Sequence, residues 1–406
     1  MNGQSIGART PAGRPPALHH AAVGSSLVVE RAESTAELAA LEPEWRELER
    51  TSGNTLPFRT FAWTAMWWKH MHQDRTSLRD SLAIRTVRTG DRRLVGVAPF
   101  MVTERPAVGP VRARCLQFVG ADPNVTEVRG LLSEPSCEAA CYAAVGRDLA
   151  QAQREVDWVR WSGVDSRSAG REVLRPLAVD WDAPVVCSLL ELPRTWEELK
   201  ASRPHNLKES LRKCYNSLKR AKLEYSLEVV QDSDQVPSAL HDFFRLHAAR
   251  AALDGTVQHK NVFERAESRA FLLDVCRTFA KQGALRIFRL HVGGVLAATR
   301  IGFVLADSLY LYYSGFDPAF ARYSVMTTSV AEAIKYAIGE GLAWVNLSTG
   351  EDVSKTRWRP LEVGFHEGIV FSPGIVGRAK YRMISAARRV VLKPKLQQYA
   401  QVLLAR

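Results

Sequence analysis

The segment from Ser308 to Leu347 constrains the fold more than any other part of this 406-residue chain. Its opening run, Ser308-Leu-Tyr-Leu-Tyr-Tyr-Ser314, is short, apolar and aromatic, which marks a buried strand. A turn at Gly315 to Pro318 follows, and a short loop then opens a helix at about Thr327. Val330, Ala333, Ile334, Ala337 and Ile338 recur at helical spacing, with Ser324, Thr327 or Thr328 to cap the start and Gly339 or Gly341 to stop it. A second apolar strand, Leu342-Ala-Trp-Val-Asn-Leu347, comes at once. A strand–loop–helix–strand unit leaves unpaired backbone N–H groups at the helix N-terminus. It therefore predicts an anion site on Arg322, Ser324, Val325, Met326, Thr327 and Thr328.

A chain of this length exceeds one core, so two domains are expected. No run approaches the roughly 18 apolar residues that a membrane span requires. Residues 1–25 mix Gly, Ala, Pro, Arg and His without an apolar stretch, which reads as a disordered leader and a cytoplasmic protein. The six cysteines include no C-x-x-C pair and have no histidine cluster beside them, so they read as small buried hydrophobes and no metal site is expected. The formal net charge of +12 is more pointed. Its surplus gathers between Arg203 and Lys222 and again from Arg378 to Lys395, where no acid occurs. Such patches attract phosphates, anionic lipid or nucleic acid, or serve as a solvated helix face.

The order of elements is duplicated. From Glu224 the sequence predicts a strand, two helices (237–253 and 262–281), a hairpin (285–292 and 295–305) turning on Gly293-Gly294, and then the opening unit. A last apolar pair, 363–366 and 368–372, closes the sheet. The first half repeats this order, with a strand at 27–31, helices at 35–50 and 61–71, and a hairpin at 82–88 and 94–102. A strand at 115–119 then leads by a longer loop to a helix at 137–151, a strand at 158–161 and a final strand at 185–192. The expectation is an α/β protein of two similar modules, each with a mixed, mostly antiparallel sheet flanked by helices. They span 26–193 and 223–375, bridged by a basic helix at 194–222 and followed by a basic C-terminal helix at 376–406.

This β-α-α-β-β-β-α-β order resembles that of the GNAT N-acyltransferases. The tandem form with a bridging helix is similar to the CelD/BcsL-type acetyltransferases and to the related FemABX aminoacyl transferases. Leu94-Val-Gly-Val-Ala-Pro-Phe-Met101 resembles the first-module hairpin, and Leu192-Pro-Arg-Thr-Trp196 with Arg203-Pro-His-Asn-Leu-Lys208 the bridging segment. Tyr312-Tyr-Ser-Gly-Phe-Asp-Pro318 with Ala321-Arg-Tyr-Ser324 resembles the second-module core, and Gly350 to Trp358 its terminal segment. Relatives commonly continue Tyr-Ser with Pro-Gly, where Val325 and Met326 stand here. The resemblance implies an acyl-CoA donor, its pyrophosphate at Arg322 to Thr328. It implies a saccharide, lipid-linked saccharide or amino compound as acceptor in polysaccharide or cell-envelope synthesis. A peripheral contact with an anionic membrane or a synthase through the basic helices is also implied. The FemABX likeness implies tRNA instead, and a degenerate fold that only binds or scaffolds is the non-enzyme alternative.

Acyl transfer needs a deprotonated nucleophile, a polarised carbonyl and a protonated leaving group. Tyr310, Tyr312 and Ser314 share one face of the expected strand, with Leu309, Leu311 and Tyr313 on the other. Aromatic residues of a central strand more often fill the core, yet Tyr313 can present its hydroxyl to a cleft. Tyr323, just ahead of the anion site, can protonate a departing thiolate. His205, Lys208 and Arg212 on the basic helix and Lys355 with Trp358 are the acceptor-binding candidates.

Overall fold

A computed structural model describes residues 27–108, 111–122, 124–253 and 259–391. The leader read over 1–25 and the end of the basic C-terminal segment lie outside these residues; the helix itself runs Val376–Val391.

Four strands, Val28–Ala32, Ile84–Arg88, Leu94–Ala98 and Leu132–Ser133, form a small sheet in that order. Among the described residues thirteen further strands make one large sheet. Its path runs Tyr225–Val230, Leu285–Val292, Val295–Leu305, Ser308–Phe316, Trp344–Thr349, Val185–Glu191, Leu361–Phe371, Trp158–Asp165, Val111–Phe118, Phe100–Val108, Leu78–Leu82 and Asp74–Arg75, with Asp180–Trp181 paired to Leu361–Phe371.

Two parallel contacts give the sheet its internal symmetry. Ser308–Phe316 runs beside Trp344–Thr349 and Val111–Phe118 beside Trp158–Asp165, each contact only three residue pairs long. Parallel neighbours need a crossover, and the helices Val325–Gly339 and Glu138–Ala152 supply it. The duplicated order thus corresponds to duplicated topology. The halves are nevertheless not separate sheets. Val185–Glu191, expected to end the first half, sits between Trp344–Thr349 and Leu361–Phe371 of the second. Leu361–Phe371 in turn pairs with Trp158–Asp165 of the first. This last strand is also continuous, with a register shift at His366/Gly368 where two separate strands were expected.

Prolines explain two departures among the helices. The expected 35–50 helix breaks at Leu41, and its second part, Glu42–Thr51, carries Pro43 in the first turn where a missing N–H costs nothing. The basic bridging helix is two helices, Trp196–Ser202 and His205–Arg220. Pro204 forces Arg203 into extended backbone between them. Leu207, Leu211, Cys214 and Leu218 form the buried stripe of the second, so its charges lie outward as an amphipathic pattern requires.

The halves are joined by aromatic packing. Trp63, on the helix Phe61–Met71, meets Phe271 at 5.1 Å and Tyr312 at 5.7 Å, both edge-on and both from the second half. Phe58 meets Tyr310 at 5.2 Å in the same way. Each such pair adds about 0.5–1.5 kcal/mol beyond its buried area. All six cysteines are buried and unpaired. Burial pushes the thiols of Cys115 and Cys187 up to about 12. The native protein is expected to resist a thiol-selective chromogenic reagent and to release six equivalents only on unfolding. Rapid native labelling of any one would contradict this packing.

Candidate active site

Where the parallel strands Ser308–Phe316 and Trp344–Thr349 part company, each carries an irregularity. Arg300 pairs with Ser314 but Gly302 with Leu311, so Tyr312 and Tyr313 together oppose Ile301 as a bulge. Cys187 pairs with Thr349 but Leu189 with Asn346, so Leu347 and Ser348 oppose Ser188. Ser348 adopts φ 73°, a left-handed conformation that costs a non-glycine residue of order 1–3 kcal/mol and tends to be kept where function needs it.

The tyrosine bulge changes which side chains share a face. Strict alternation places Tyr313 opposite Tyr310 and Tyr312. Instead all three hydroxyls reach one loop of the first half: Tyr313 donates to the Asn124 carbonyl at 2.5 Å, Tyr312 to the Val125 carbonyl, and Tyr310 to a carboxylate oxygen of Glu127. Ser314 accepts from Arg250 at 2.8 Å. That loop is itself tied down. The Asp122 carboxylate accepts from the Val125 and Thr126 amides, the Thr126 hydroxyl and the Trp67 indole at 2.5–3.0 Å.

Glu127 is the centre of this arrangement. Besides Tyr310, the Ser348 hydroxyl donates to its two oxygens at 3.0 and 2.8 Å. Burial raises its carboxyl above the ordinary range, against the hydrogen bonds from Tyr310 and Ser348 and the charges of Lys355 and Arg300. Arg300 is itself pushed down to about 10 by burial, with the neighbouring Arg250 adding to the effect. Lys355 donates to the Thr349 carbonyl and pairs with Asp352 at 3.4 Å. A cleft of about 500 Å³ opens here between the halves, lined by Glu127, Tyr313, His247, Arg250, His259 and Thr349 among others. A carboxyl with a raised pKa, held in a cleft among cations, suits proton abstraction.

The expected anion site has a different character at each residue. Ser324 takes φ 56° at the start of the helix Val325–Gly339, with no side-chain cap. Ser324 itself thus takes a left-handed turn, and Val325 and Met326, where relatives commonly carry Pro-Gly, begin the helix. Arg322 and Ser324 are exposed and Met326 half-buried. Val325 is 1% exposed and Thr328 0%, so these two side chains face the interior and not a ligand. Thr327 accepts from Arg357 at 3.0 Å, and Arg357 also reaches Ser210 of the basic helix at 3.3 Å. Tyr323 is half-buried beside Phe320, its ring under the Arg322 guanidinium at 4.8 Å, and it does not line the Glu127 cleft.

Of the acceptor candidates, His205, Lys208 and Arg212 come together around a separate cleft of about 360 Å³ with Trp196 and Tyr215. Lys355 belongs to the Glu127 cluster instead. Trp358 is 0% exposed and packs near Trp196, so it is core and not a contact for substrate.

Sequence reading missed Glu127, Ser348, Arg250, Arg300 and His259. The one local signal was the length of the loop between Phe118 and Leu132, well above the typical four to six residues.

Residues 205–356 match the protein family described as an acetyltransferase (GNAT) domain. No curated protein sequence matches. Among solved structures, FemX is similar over 87% of this chain and 99% of its own, at 10% identity and a TM-score of 0.55. A conserved protein of unknown function from Bacteroides thetaiotaomicron VPI-5482 aligns over 84% of this chain and 100% of its own, at 14% identity and a TM-score of 0.49. A tandem GNAT protein from the clavulanic acid biosynthesis pathway aligns over 86% and 99%, at 12% identity and a TM-score of 0.44. At such identity the likeness to FemX speaks for the fold. The domain match over 205–356 supports an acyltransferase-type activity.

Proposed function

We propose that the chain transfers an acyl group from acyl-CoA to an amine or hydroxyl held in the cleft between its halves. A saccharide, lipid-linked saccharide or amino compound, as in the CelD/BcsL-type enzymes, is the acceptor class. The observation that carries this reading is Glu127, a half-buried carboxyl of raised pKa at the point where two parallel strands diverge. Glu127 takes the proton from the acceptor. Arg300 and Lys355 set positive charge beside it and Arg250 lines the same cleft, which keeps an acceptor amine neutral and favours the oxyanion that forms on attack. No covalent intermediate is required. The amine lone pair forms the new bond to the acyl carbon, and the C–S bond breaks to release the thiolate. Arg322, Ser324 and the first amides of the helix Val325–Gly339 are the groups available to the CoA pyrophosphate.

Titration calorimetry with acetyl-CoA tests the donor. Binding is expected, and Ser324→Glu should weaken it about tenfold or more, because a carboxylate there repels the pyrophosphate. No heat with acetyl-CoA or longer acyl-CoAs would remove the donor assignment.

One observation favours a second reading. The basic helix His205–Arg220 packs against the helix Val325–Gly339 and shares Arg357 with its first turn, so its exposed cations present a surface beside the donor site. That arrangement suits an aminoacyl-tRNA donor. Salt-sensitive tRNA binding, lost on neutralising Lys208, Arg212 and Lys213, would promote it over acyl-CoA.

A further inference from the structure

A second cleft, of about 680 Å³, lies on the first half and meets the Glu127 cleft at Asp122 and Arg129, which line both. It is open to the sheet face that carries Thr103, Gln117 and Arg160, and Arg265 joins it from the second half. The helix Val376–Val391 closes one side with Tyr381, Ile384 and Ser385. Five arginines line it: Arg75, Arg105, Arg129, Arg160 and Arg265.

The carboxylates nearby do not neutralise them all. Asp80 accepts from the Thr103 hydroxyl at 2.6 Å and the Gln73 amide at 2.8 Å, and Asp122 from the neutral donors already described. Glu367 is shared by Arg129 at 2.7 Å and Arg160 at 3.2 Å. Among the described residues Arg75 and Arg265 form no ion pair, and the buried Nε of Arg160 has no acceptor. The Trp158 ring is buried under Arg105 at 5.6 Å, Trp67 is buried as well, and Tyr381 is the half-buried ring on the cleft wall.

We propose that this cleft binds a phosphate monoester of a small polyhydroxylated molecule. Arg75 and Arg265 take the phosphate, and the remainder lies along Gln117, Arg160 and Tyr381 toward Asp122. A dianion matches two guanidiniums without carboxylate partners, and the planar fork of each suits phosphate oxygens. The polar floor suits hydroxyl groups, and of the rings beside it only the half-buried Tyr381 is open to a sugar ring, since Trp67 and Trp158 are buried. The join at Asp122 and Arg129 makes this ligand the acceptor itself, its phosphate anchored here and its nucleophile at Glu127. Only that last step rests on the acyl-transfer reading; the binding does not.

Titration calorimetry on the full chain separates the two. Glucosamine 6-phosphate is expected to bind about tenfold or more tightly than glucosamine. The double variant R75S/R265S, which alters only exposed side chains, should bring the two ligands to equal affinity with an unchanged melting temperature. Glu127→Gln should keep the wild-type ratio, so phosphate binding survives even where turnover is lost or absent. Competition of glucosamine 6-phosphate against vesicles of phosphatidylcholine with phosphatidic acid distinguishes a soluble from a lipid-borne phosphate. Displacement of the protein from the vesicles by the sugar phosphate supports the same cleft reading a lipid headgroup. The assignment is overturned by equal affinity for glucosamine 6-phosphate and glucosamine, by a ratio that R75S/R265S leaves intact, or by inorganic phosphate binding as tightly as the sugar phosphate.

Discussion

Replacing Glu127 with glutamine is expected to lower kcat by about 10²–10⁴-fold while leaving a folded protein, because the side chain is isosteric and only proton acceptance is lost. The surroundings tolerate the change. Tyr310 and Ser348 both donate to the carboxylate, and both hydroxyls can also accept from an amide nitrogen. Steady-state turnover with acetyl-CoA and an amine acceptor measures the effect. A variant that retains more than about a tenth of the wild-type kcat would remove Glu127 from the role of base.

Two pH profiles sharpen the test, and they run in opposite directions. Burial raises the Glu127 carboxyl, so the native chain holds this proton more tightly than the unfolded chain. Between the ordinary carboxylate pKa and the raised one, the folded state therefore binds more protons than the unfolded state. Stability from this group falls as pH rises through that window. Activity rises through the same window, since the ionised form is the base. In Glu127→Gln both dependences should vanish, and the variant should gain melting temperature relative to wild type as pH goes from acid to neutral. A purely structural glutamate would move the stability profile and leave the pH dependence of kcat unchanged.

Local features of the fold were legible because their causes lie within a few residues. The hairpin Leu285–Val292 to Val295–Leu305 turns on Gly293 and Gly294, both at positive φ, as a two-residue turn demands. The helix Phe61–Met71 starts where Thr60 caps the Trp63 amide. Strand exchange at Val185–Glu191 was not legible. A run buried on both faces carries no mark of which neighbour it pairs with, and its partners lie more than 150 residues away. The site suffered from the same limit. The tyrosines were singled out in the sequence, but one bulge moved Tyr313 onto the face of Tyr312, and no local pattern announces a bulge. Glu127 was invisible for a simpler reason. A lone carboxylate in a long loop looks solvated until the loop is known to fold against another half of the chain.

That loop is held by a backbone crossing, which sets up the largest stability effect. Gly163, in the strand Trp158–Asp165, has φ 71°, and a Cβ there would lie 1.6 Å from the Arg129 carbonyl oxygen and 2.7 Å from its carbon. The contact is with backbone, so no rotamer relieves it. Arg59 fixes the far side by donating to the Gly163 carbonyl at 2.7 Å, and Arg129 is anchored to Glu367. Gly163→Ala must therefore push residues 129–130 outward and carry Glu127, two residues earlier, with them. The expected cost is roughly 3 kcal/mol or more, a fall in melting temperature of about 3 °C or more for a chain of this length, together with loss of turnover. Gly53→Ala supplies the control, since Gly53 has a similar φ of 62° with nothing within 4 Å of a Cβ. It carries the conformational strain alone, about 1 kcal/mol, and should keep activity. The difference between the two variants isolates the crossing of the two segments. If Gly163→Ala melts within about 1 °C of Gly53→Ala, the crossing does not constrain the Glu127 loop, and its placement in the active site loses its structural basis.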